Sequence, residues 1–238
     1  MDGKTAASTG DGLDAERLLS AAAHDLKAPL LTIQAYASGL ESAARQQDWD
    51  GFRADTQRIQ ALCQSLGHLL DDVRELARQG EPLRKTTVVA LDGVVHDALE
   101  RLAGVRPANL ELIAAVPLPR VRGAPERLVR VFQNILENAF RAVREVPHPR
   151  IEISSEVSAT ELIVTIRDNG RGMQPEEIPR IFQPYRQLGG SAGTCGLGMP
   201  IAQRIVQVHG GDLTLESQGE GTGVTARIRL PQGIVVNS

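Results

Sequence analysis

A seven-residue apolar repeat runs through the first third of the chain and restricts what that part can fold into. Between residues 59 and 76 the spacings alternate strictly between three and four, at Ile59, Leu62, Leu66, Leu69, Val73 and Leu76. This spacing places one narrow apolar stripe along a helix, which is typical of a coiled-coil seam rather than of an isolated surface helix.

The same repeat occurs earlier in the chain, with Pro29 at one expected seam position. Its members are Leu19, Ala22, Leu26, Ile33, Tyr36 and Leu40. A break at QQDWDG (46–51) separates two helical stretches, so residues 14–79 are predicted to form a helical hairpin. Two antiparallel helices bury little apolar surface between them. Two such hairpins packed as a four-helix bundle would bury more of it. The sequence therefore predicts a homodimer.

Beyond residue 80 the pattern changes to strands and helices in alternation, which predicts a two-layer α/β sandwich over residues 80–233. The fold class is thus α + α/β, and the Gly/Ser/Thr-rich residues 1–13 are predicted to be a disordered leader. Helices are predicted at 91–103, 125–143 and 197–210, and strands at 86–90, 109–116, 151–158, 161–168, 211–218 and 223–231.

Charge and composition exclude several classes of partner. The net charge is −3 and no long basic run occurs, so we expect neither nucleic acid nor an anionic membrane surface as a partner. No apolar run approaches the roughly 18 residues of a membrane span, which predicts no direct membrane contact. Two distant cysteines suit a reducing compartment. We expect a cytoplasmic protein, or the cytoplasmic portion of a membrane-bound receptor.

His24 lies outside the predicted seam, in the stretch HDLKAPL (24–30). A lone histidine at such a position is most often a solvated surface residue. Two neighbours favour a function: Pro29 cannot donate to the carbonyl of Asp25 and should loosen the helix one turn away, and Asp25 supplies a carboxylate beside the imidazole.

The helix at 125–143 carries two asparagines one turn apart, Asn134 and Asn138, on its predicted polar face. An amphipathic helix with a solvated face explains the polarity, but not the choice of asparagine, which is a poor helix former. Amide oxygens held one turn apart suit Mg²⁺, which prefers hard oxygen ligands and shares them with phosphates.

Two glycine clusters favour a phosphate ligand as well. RDNGRGM (167–173) ends a predicted strand, and GTCGLGM (193–199) opens a predicted helix. Glycines let backbone amides approach phosphate oxygens, and a helix N-terminus favours an anion. Either cluster alone is a weak signal. The long connection between them is predicted to be a mobile lid.

Together, and in this order, these motifs resemble the catalytic core of a bacterial sensor histidine kinase of two-component signalling, from about residue 14 to residue 231. The resemblance implies a dimerisation and histidine-phosphotransfer hairpin followed by an ATP-binding domain of the gyrase, Hsp90, histidine kinase and MutL superfamily. The matching segments are HDLKAPL (24–30), NILENA (134–139), DNGRGM (168–173), IFQPY (181–185) and GTCGLGM (193–199).

The resemblance also implies roles for single residues. His24 is expected to accept the phosphoryl group of ATP, with Asp25 as base, and to pass it to an aspartate in the receiver domain of a response regulator. Asp168 is expected to accept a hydrogen bond from the adenine amino group. Asn138 and Asn134 are expected to bind Mg²⁺. The remaining expected nucleotide-site residues are Arg141, Gly170, Gly172, Phe182, Gly196, Leu197, Gly198 and Thr222.

One departure from the family pattern concerns Ala28, which stands where many relatives have Thr or Asn. That side chain positions the water that dephosphorylates a response regulator, so we predict weak phosphatase activity. An ATPase or a serine protein kinase of the same superfamily is the alternative function, but neither has a use for the histidine motif on a hairpin.

Overall fold

Residues 8–77, 83, 86–115, 117–183 and 196–236 are described in a computed structural model of the chain. The chain divides into two units. Among the described residues, the first unit is helical and holds residues 8–77, and the second is an α/β unit that holds all of the described strands.

The helical unit is a hairpin of α1 (Ser8–Arg45) and α2 (Trp49–Ala77). The predicted break is present but shorter than expected. Gln47 takes the left-handed conformation, with φ of 57°, and the Asp48 carboxylate accepts a hydrogen bond from the amide of Gly51 at 3.0 Å. Such a side-chain acceptor at a helix start satisfies one of the unpaired amides, so α2 begins directly after a tight turn.

The disordered leader was predicted over residues 1–13, and α1 begins within that stretch, at Ser8. Extending an existing helix adds one hydrogen bond for each residue fixed, whereas nucleating a new one is unfavourable. A Gly- and Ser-containing stretch can therefore continue a helix that the following residues have nucleated. Residues 1–7 lie outside the described residues.

The predicted seam lies where α1 packs against α2. The Arg58 guanidinium stands over the Tyr36 ring, 5.4 Å from its centroid. None of the described side chains between residues 26 and 70 is buried, and those of the seam are only half-buried. The described seam members are Leu26, Ile33, Tyr36, Leu40, Ile59, Leu62 and Leu66; the side chains of the other predicted members lie outside the described residues.

The α/β unit contains every element that the sequence predicted after residue 80, with bounds that agree within two residues. The strands β3 and β8 and the short helix α5 were not predicted. In chain order the elements are β1 (Thr87–Ala90), α3 (Leu91–Arg101), β2 (Glu111–Ala114), β3 (Arg120–Gly123), α4 (Pro125–Ala142), β4 (Arg150–Val157), β5 (Glu161–Asp168), α5 (Ile178–Ile181), α6 (Gly198–Val208), β6 (Asp212–Glu216), β7 (Thr225–Pro231), a 3₁₀ turn (Gln232–Ile234) and β8 (Val235–Val236).

The predicted two-layer sandwich is confirmed. Five strands form a mixed sheet in the order β2-β4-β5-β7-β6, in which only the β2–β4 pair is parallel. The helices α3, α4 and α6 form the other layer, with α4 between the other two and in contact with β5. A small antiparallel sheet, β1-β3-β8, completes the unit.

Alternation along β5 shows how the sheet meets the helices. Leu162, Val164 and Ile166 are buried, while the residues between them are half-buried. Successive side chains of a strand point to opposite faces, so every second residue of β5 belongs to the core face. Asp168 continues this series at the end of the strand, which places an acidic side chain at a core-facing position.

His209 fixes the start of α4. Its Nδ1 donates to the carbonyl of Ile205 at 2.7 Å, and its Nε2 accepts the amide of Ala124 at 3.1 Å. This pairing requires the neutral ring, and burial lowers the pKa of His209 below its usual value. The C-terminal end of α6 and the N-terminus of α4 are thereby joined. These two helices carry four of the predicted site residues, Asn134, Asn138, Arg141 and Gly198.

Candidate nucleotide-binding site

Among the described acidic residues of the α/β unit, Asp168 is the buried one, with 7% of its surface exposed. Its Oδ1 accepts two backbone hydrogen bonds, from Gly170 at 2.8 Å and from Val224 at 3.2 Å. Among the described residues, none donates a hydrogen bond to Oδ2. Asp168 therefore keeps one oxygen that can accept a hydrogen bond from a ligand.

The protonation of Asp168 reflects two opposing effects. Burial raises the pKa of its carboxyl to about 6, and the hydrogen bonds from Gly170 and Val224 act in the opposite direction. The larger effect is desolvation of the charged form. A carboxyl group poised in this way accepts a hydrogen bond when ionised, and its charge changes within the physiological range of pH.

The glycine loop after β5 is held close to α4 and to the loop before β7. The amide of Arg171 donates to the carbonyl of Ala142 at 3.1 Å, and a Cβ on Gly170 would lie 2.7 Å from Ala142. Gly172 has φ of +67°, and a Cβ there would overlap the carbonyl of Gly219. The glycines at these positions allow three backbone segments to lie in contact: the end of α4, the loop after β5 and the loop before β7.

Gly223, on the facing loop, was not predicted as a site residue. Its φ is +73°, and a Cβ would overlap the carbonyl of Asp168, so only glycine fits here without strain. Thr222 precedes it and is exposed; its hydroxyl donates to the carbonyl of Gly219 at 2.7 Å and accepts from the amide of Gln218 at 3.2 Å. In this structure the Thr222 hydroxyl therefore closes its own loop.

The two asparagines of α4 have different surroundings. Asn134 is buried, which contradicts its predicted place on a solvated face, and its Nδ2 donates to the carbonyl of Gly198 at 2.9 Å. The approach of α6 to α4 removes this residue from water. Asn138, one turn later, is half-buried and forms no hydrogen bond with any described residue. Arg141 pairs with Glu137 at 2.9 Å.

The other predicted nucleotide-site residues flank the long connection between α5 and α6. Phe182 is half-buried and ends α5, while Gly196, with φ of +65°, and the buried Leu197 precede α6. The predicted lid falls mostly on residues 184–195, which lie outside the described residues. The structure thus brings together Asp168, the first glycine cluster and the loop of Thr222, and separately joins Asn134 to Gly198.

His24 and Asp25 lie on α1, and their side chains are outside the described residues. Pro29 lies within this helix, which is continuous from Ser8 to Arg45. None of the described helices combines the length and the apolar character needed to cross a membrane. Within the described part of the chain, no three His, Cys, Asp or Glu side chains group as a metal site.

Ser217 is the second site residue that sequence reasoning missed. Its hydroxyl lies between the amide of Met173, at 3.1 Å, and the carbonyl of Gly223, at 2.8 Å. A serine after a strand is common in any chain, so no local signal distinguishes it. Only the approach of the two loops shows its position.

Comparison with known proteins assigns a family to each unit. Residues 14–82 match the His Kinase A (phospho-acceptor) domain. Residues 123–234 match the histidine kinase-, DNA gyrase B- and HSP90-like ATPase family. The two matches cover the hairpin and most of the α/β unit.

Full-length relatives agree with this assignment. The methanogenesis regulatory histidine kinase FilI of Methanothrix harundinacea is 31% identical over 217 residues, which are 91% of this chain and 24% of that protein. The sensor histidine kinase ZraS of Escherichia coli is 28% identical over 221 residues, which are 91% of this chain and 45% of that protein. The chain thus spans less than half the length of these relatives.

Solved structures show the same fold. The histidine kinase AdeS of Acinetobacter baumannii superposes with a TM-score of 0.66 at 22% identity, over 87% of this chain and 97% of that one. The mycobacterial sensor histidine kinase MprB superposes with a TM-score of 0.55 at 26% identity, over 62% of this chain and 97% of that one. With a phospho-acceptor hairpin followed by an ATPase-type α/β unit, the chain belongs to the family of two-component sensor histidine kinases.

Proposed function

We propose that this chain is the catalytic core of a sensor histidine kinase, which phosphorylates His24 from ATP and passes the phosphoryl group to a response regulator. The observation that carries the proposal is the buried Asp168, with one carboxylate oxygen engaged by backbone amides and the other available. The available oxygen can accept a hydrogen bond from a ligand that donates one, while the residue as a whole is held in a fixed, buried position.

The adenine amino group is such a donor. Oδ2 of Asp168 accepts from it, while Gly170 and Val224 hold Oδ1. Guanine presents a carbonyl oxygen at the equivalent position, which would face the carboxylate as a second acceptor. The site therefore selects ATP over GTP by leaving an acceptor unpaired with the wrong base.

The polar side of α4 fits a magnesium ion with the phosphates. Asn138 offers an amide oxygen that no described residue engages, and Asn134 offers Oδ1 because its nitrogen is committed to Gly198. Oxygen ligands of this kind suit Mg²⁺, which when bound neutralises charge on the triphosphate. Arg141, one turn further on, adds positive charge to the same side of α4.

In the transfer step the His24 imidazole attacks the γ-phosphorus. A nitrogen–phosphorus bond forms, the bond from the γ-phosphorus to the bridging oxygen breaks, and ADP leaves. Asp25 takes the proton from the other ring nitrogen and so raises the nucleophilicity of the imidazole. A carboxylate of the response regulator receiver domain then takes the phosphoryl group from His24. Positioning and charge neutralisation supply most of the catalysis in such transfers.

We further propose that the kinase is a homodimer through its hairpin. A second, uncharged row flanks the seam, and its described members are Leu30, Ala37 and Ala44 on α1 with Trp49, Thr56, Cys63 and Leu70 on α2. In an antiparallel helix pair, positions that flank the seam in the same register lie on one side. Leu30, Trp49 and Leu70 are 49%, 59% and 55% exposed, which leaves an uncharged face that suits a second hairpin.

The absence of a polar side chain at residue 28 supports weak phosphatase activity. Hydrolysis of an aspartyl phosphate needs an oriented water, and the methyl group of Ala28 offers neither donor nor acceptor. We expect Ala28→Thr to accelerate the decay of a phosphorylated response regulator several-fold, without loss of autophosphorylation. Wild-type protein that already accelerates decay strongly, with no gain in Ala28→Thr, would contradict this expectation.

Labelling with γ-³²P-ATP tests the main proposal. The protein should acquire label that is stable in alkali and lost in acid, as expected of phosphohistidine. His24→Ala should acquire none, while His96→Ala, which replaces an exposed histidine of α3, should label normally. Acid-stable label would instead indicate a serine kinase, and phosphate release without any label would indicate an ATPase.

A further inference from the structure

We propose that Ser217 is a positioning residue for nucleotide recognition, because its hydroxyl joins the loop after β5 to the loop before β7 and so fixes the backbone amides that hold Asp168. This inference rests on the nucleotide site proposed above and adds a residue that lies outside its motifs. Ser217 does not contact Asp168; it acts through the two loops.

A single hydroxyl makes the connection. Its oxygen accepts from the amide of Met173 at 3.1 Å, on the loop after β5. Its proton is donated to the carbonyl of Gly223 at 2.8 Å, on the loop before β7. A hydroxyl can accept and donate at once, which neither an alanine nor a carboxylate at this position could do.

The connection reaches Asp168 through two adjacent residues. The amide of Gly223 donates to the carbonyl of Gly170 at 3.1 Å, and the amide of Val224 donates to Oδ1 of Asp168 at 3.2 Å. The amide of Asp168 in turn donates to the carbonyl of Val224 at 2.9 Å. A shift of the Gly223 carbonyl would therefore move two backbone donors, the amide of Gly223 that binds the Gly170 carbonyl and the amide of Val224 that binds Asp168.

The electrostatic consequence is specific. The hydrogen bond from Val224 favours the ionised carboxylate and holds the pKa of Asp168 below the value that burial alone would give. If the loop loosens, this bond lengthens and the pKa of Asp168 rises above about 6. Nucleotide binding that needs the ionised form should then have a pH midpoint at higher pH than in the wild type.

The test compares Ser217→Ala with two variants. Ser158→Ala is the matched control, because the Ser158 hydroxyl also bonds backbone groups in a turn, at the opposite end of β5. Ser217→Thr keeps the hydroxyl and should restore the wild-type behaviour. Affinity for ATP and for GTP is measured by calorimetry on the full chain between pH 5 and pH 8.5, and thermal melting monitors folding.

We expect Ser217→Ala to bind ATP about tenfold more weakly at pH 7, as for loss of roughly 1.4 kcal/mol. Its preference for ATP over GTP should decrease, and its pH midpoint for ATP binding should move upward. Ser158→Ala should keep the wild-type affinity, preference and midpoint even if its melting temperature falls. If Ser217→Ala does not fold, Ser217→Cys takes its place, since a thiol is a weaker donor and acceptor.

The outcomes separate this inference from the proposed function. Wild-type protein that binds no ATP would refute the nucleotide site itself, and Ser217 with it. Wild-type protein that binds ATP, with Ser217→Ala unchanged in midpoint and preference, would refute only the role of Ser217. A fall in melting temperature without a change in midpoint would make the residue merely structural.

Discussion

The hairpin and the α/β unit differ in how far each one buries its own apolar residues. In the α/β unit Leu128, Val164 and Ile205 are at most 2% exposed, and they come from α4, the sheet and α6. In the hairpin the described side chains between residues 26 and 70 are half-buried or exposed throughout. The α/β unit therefore completes a core within one chain, whereas two helices alone cannot enclose their apolar positions.

This difference has a physical origin in the number of packed layers. A helix buries one stripe against one neighbour, and each leucine that stays half-exposed forgoes part of the roughly 25 cal/mol per Å² that burial provides. A helix that packs on both a sheet and other helices loses nearly all exposure on its apolar face, as α4 does. A second copy of the chain that completes the apolar core is then expected at the hairpin and not at the α/β unit.

Leu66→Asp gives the largest expected effect. It places a charge in the seam of the hairpin, which should destabilise a dimeric bundle by several kcal/mol and yield monomer or unfolded helices. Light scattering and circular dichroism measure the outcome. The matched control is Gly67→Asp, at an exposed neighbouring position. A wild-type protein that is monomeric at micromolar concentration would contradict the comparison.

Phe132→Ala tests the other unit. Phe132 is 2% exposed on α4, and its truncation should lower the free energy of unfolding by about 3–5 kcal/mol. The measurement is urea denaturation of residues 80–238, which we expect to fold alone. Its midpoint should not depend on protein concentration. A concentration-dependent midpoint would show that this unit also needs a partner.

Asp168→Asn has the smallest expected effect on stability. It should raise the free energy of unfolding, whereas Leu66→Asp and Phe132→Ala should lower it. The folded-state pKa of Asp168 is raised from 3.8 to about 6, so its contribution to stability is present below about pH 3.8 and is lost as the pH rises through about 6. Asparagine keeps the acceptor for Gly170 and Val224 without a charge. At pH 8 it should raise the free energy of unfolding by about 2 kcal/mol.

The measurement for Asp168→Asn is urea denaturation of nucleotide-free protein at pH 5 and pH 8. The gain should shrink at pH 5, where the wild-type carboxyl is largely protonated, and ATP binding should weaken at both values. A gain of equal size at the two pH values would mean that desolvation of the charge is not its cause. Loss of stability at pH 8 would mean that burial does not disfavour the ionised Asp168.

Much of the fold could be predicted from local patterns. The three-four spacing indicated the hairpin helices, and period-two alternation indicated β5 with its hairpin partner β4, because these signals depend only on neighbouring residues. The strands β3 and β8 were missed. They are four and two residues long and are stabilised by pairing with residues distant in sequence, as in the Val121–Val235 pair, which no local pattern reveals.

The sequence by itself identified the side chains that we propose to carry the chemistry: His24 and Asp25 in one motif, Asn138 in a second and Asp168 in a third. Only the tertiary structure decided their environment. Approach of α6 buried Asn134 and engaged its nitrogen, although a helical wheel placed it in water. Approach of the loop before β7 gave Asp168 its second backbone donor and brought Ser217 between two loops. Burial and hydrogen bonding depend on segments far apart in sequence, and these two effects set the pKa and the binding capacity of the site.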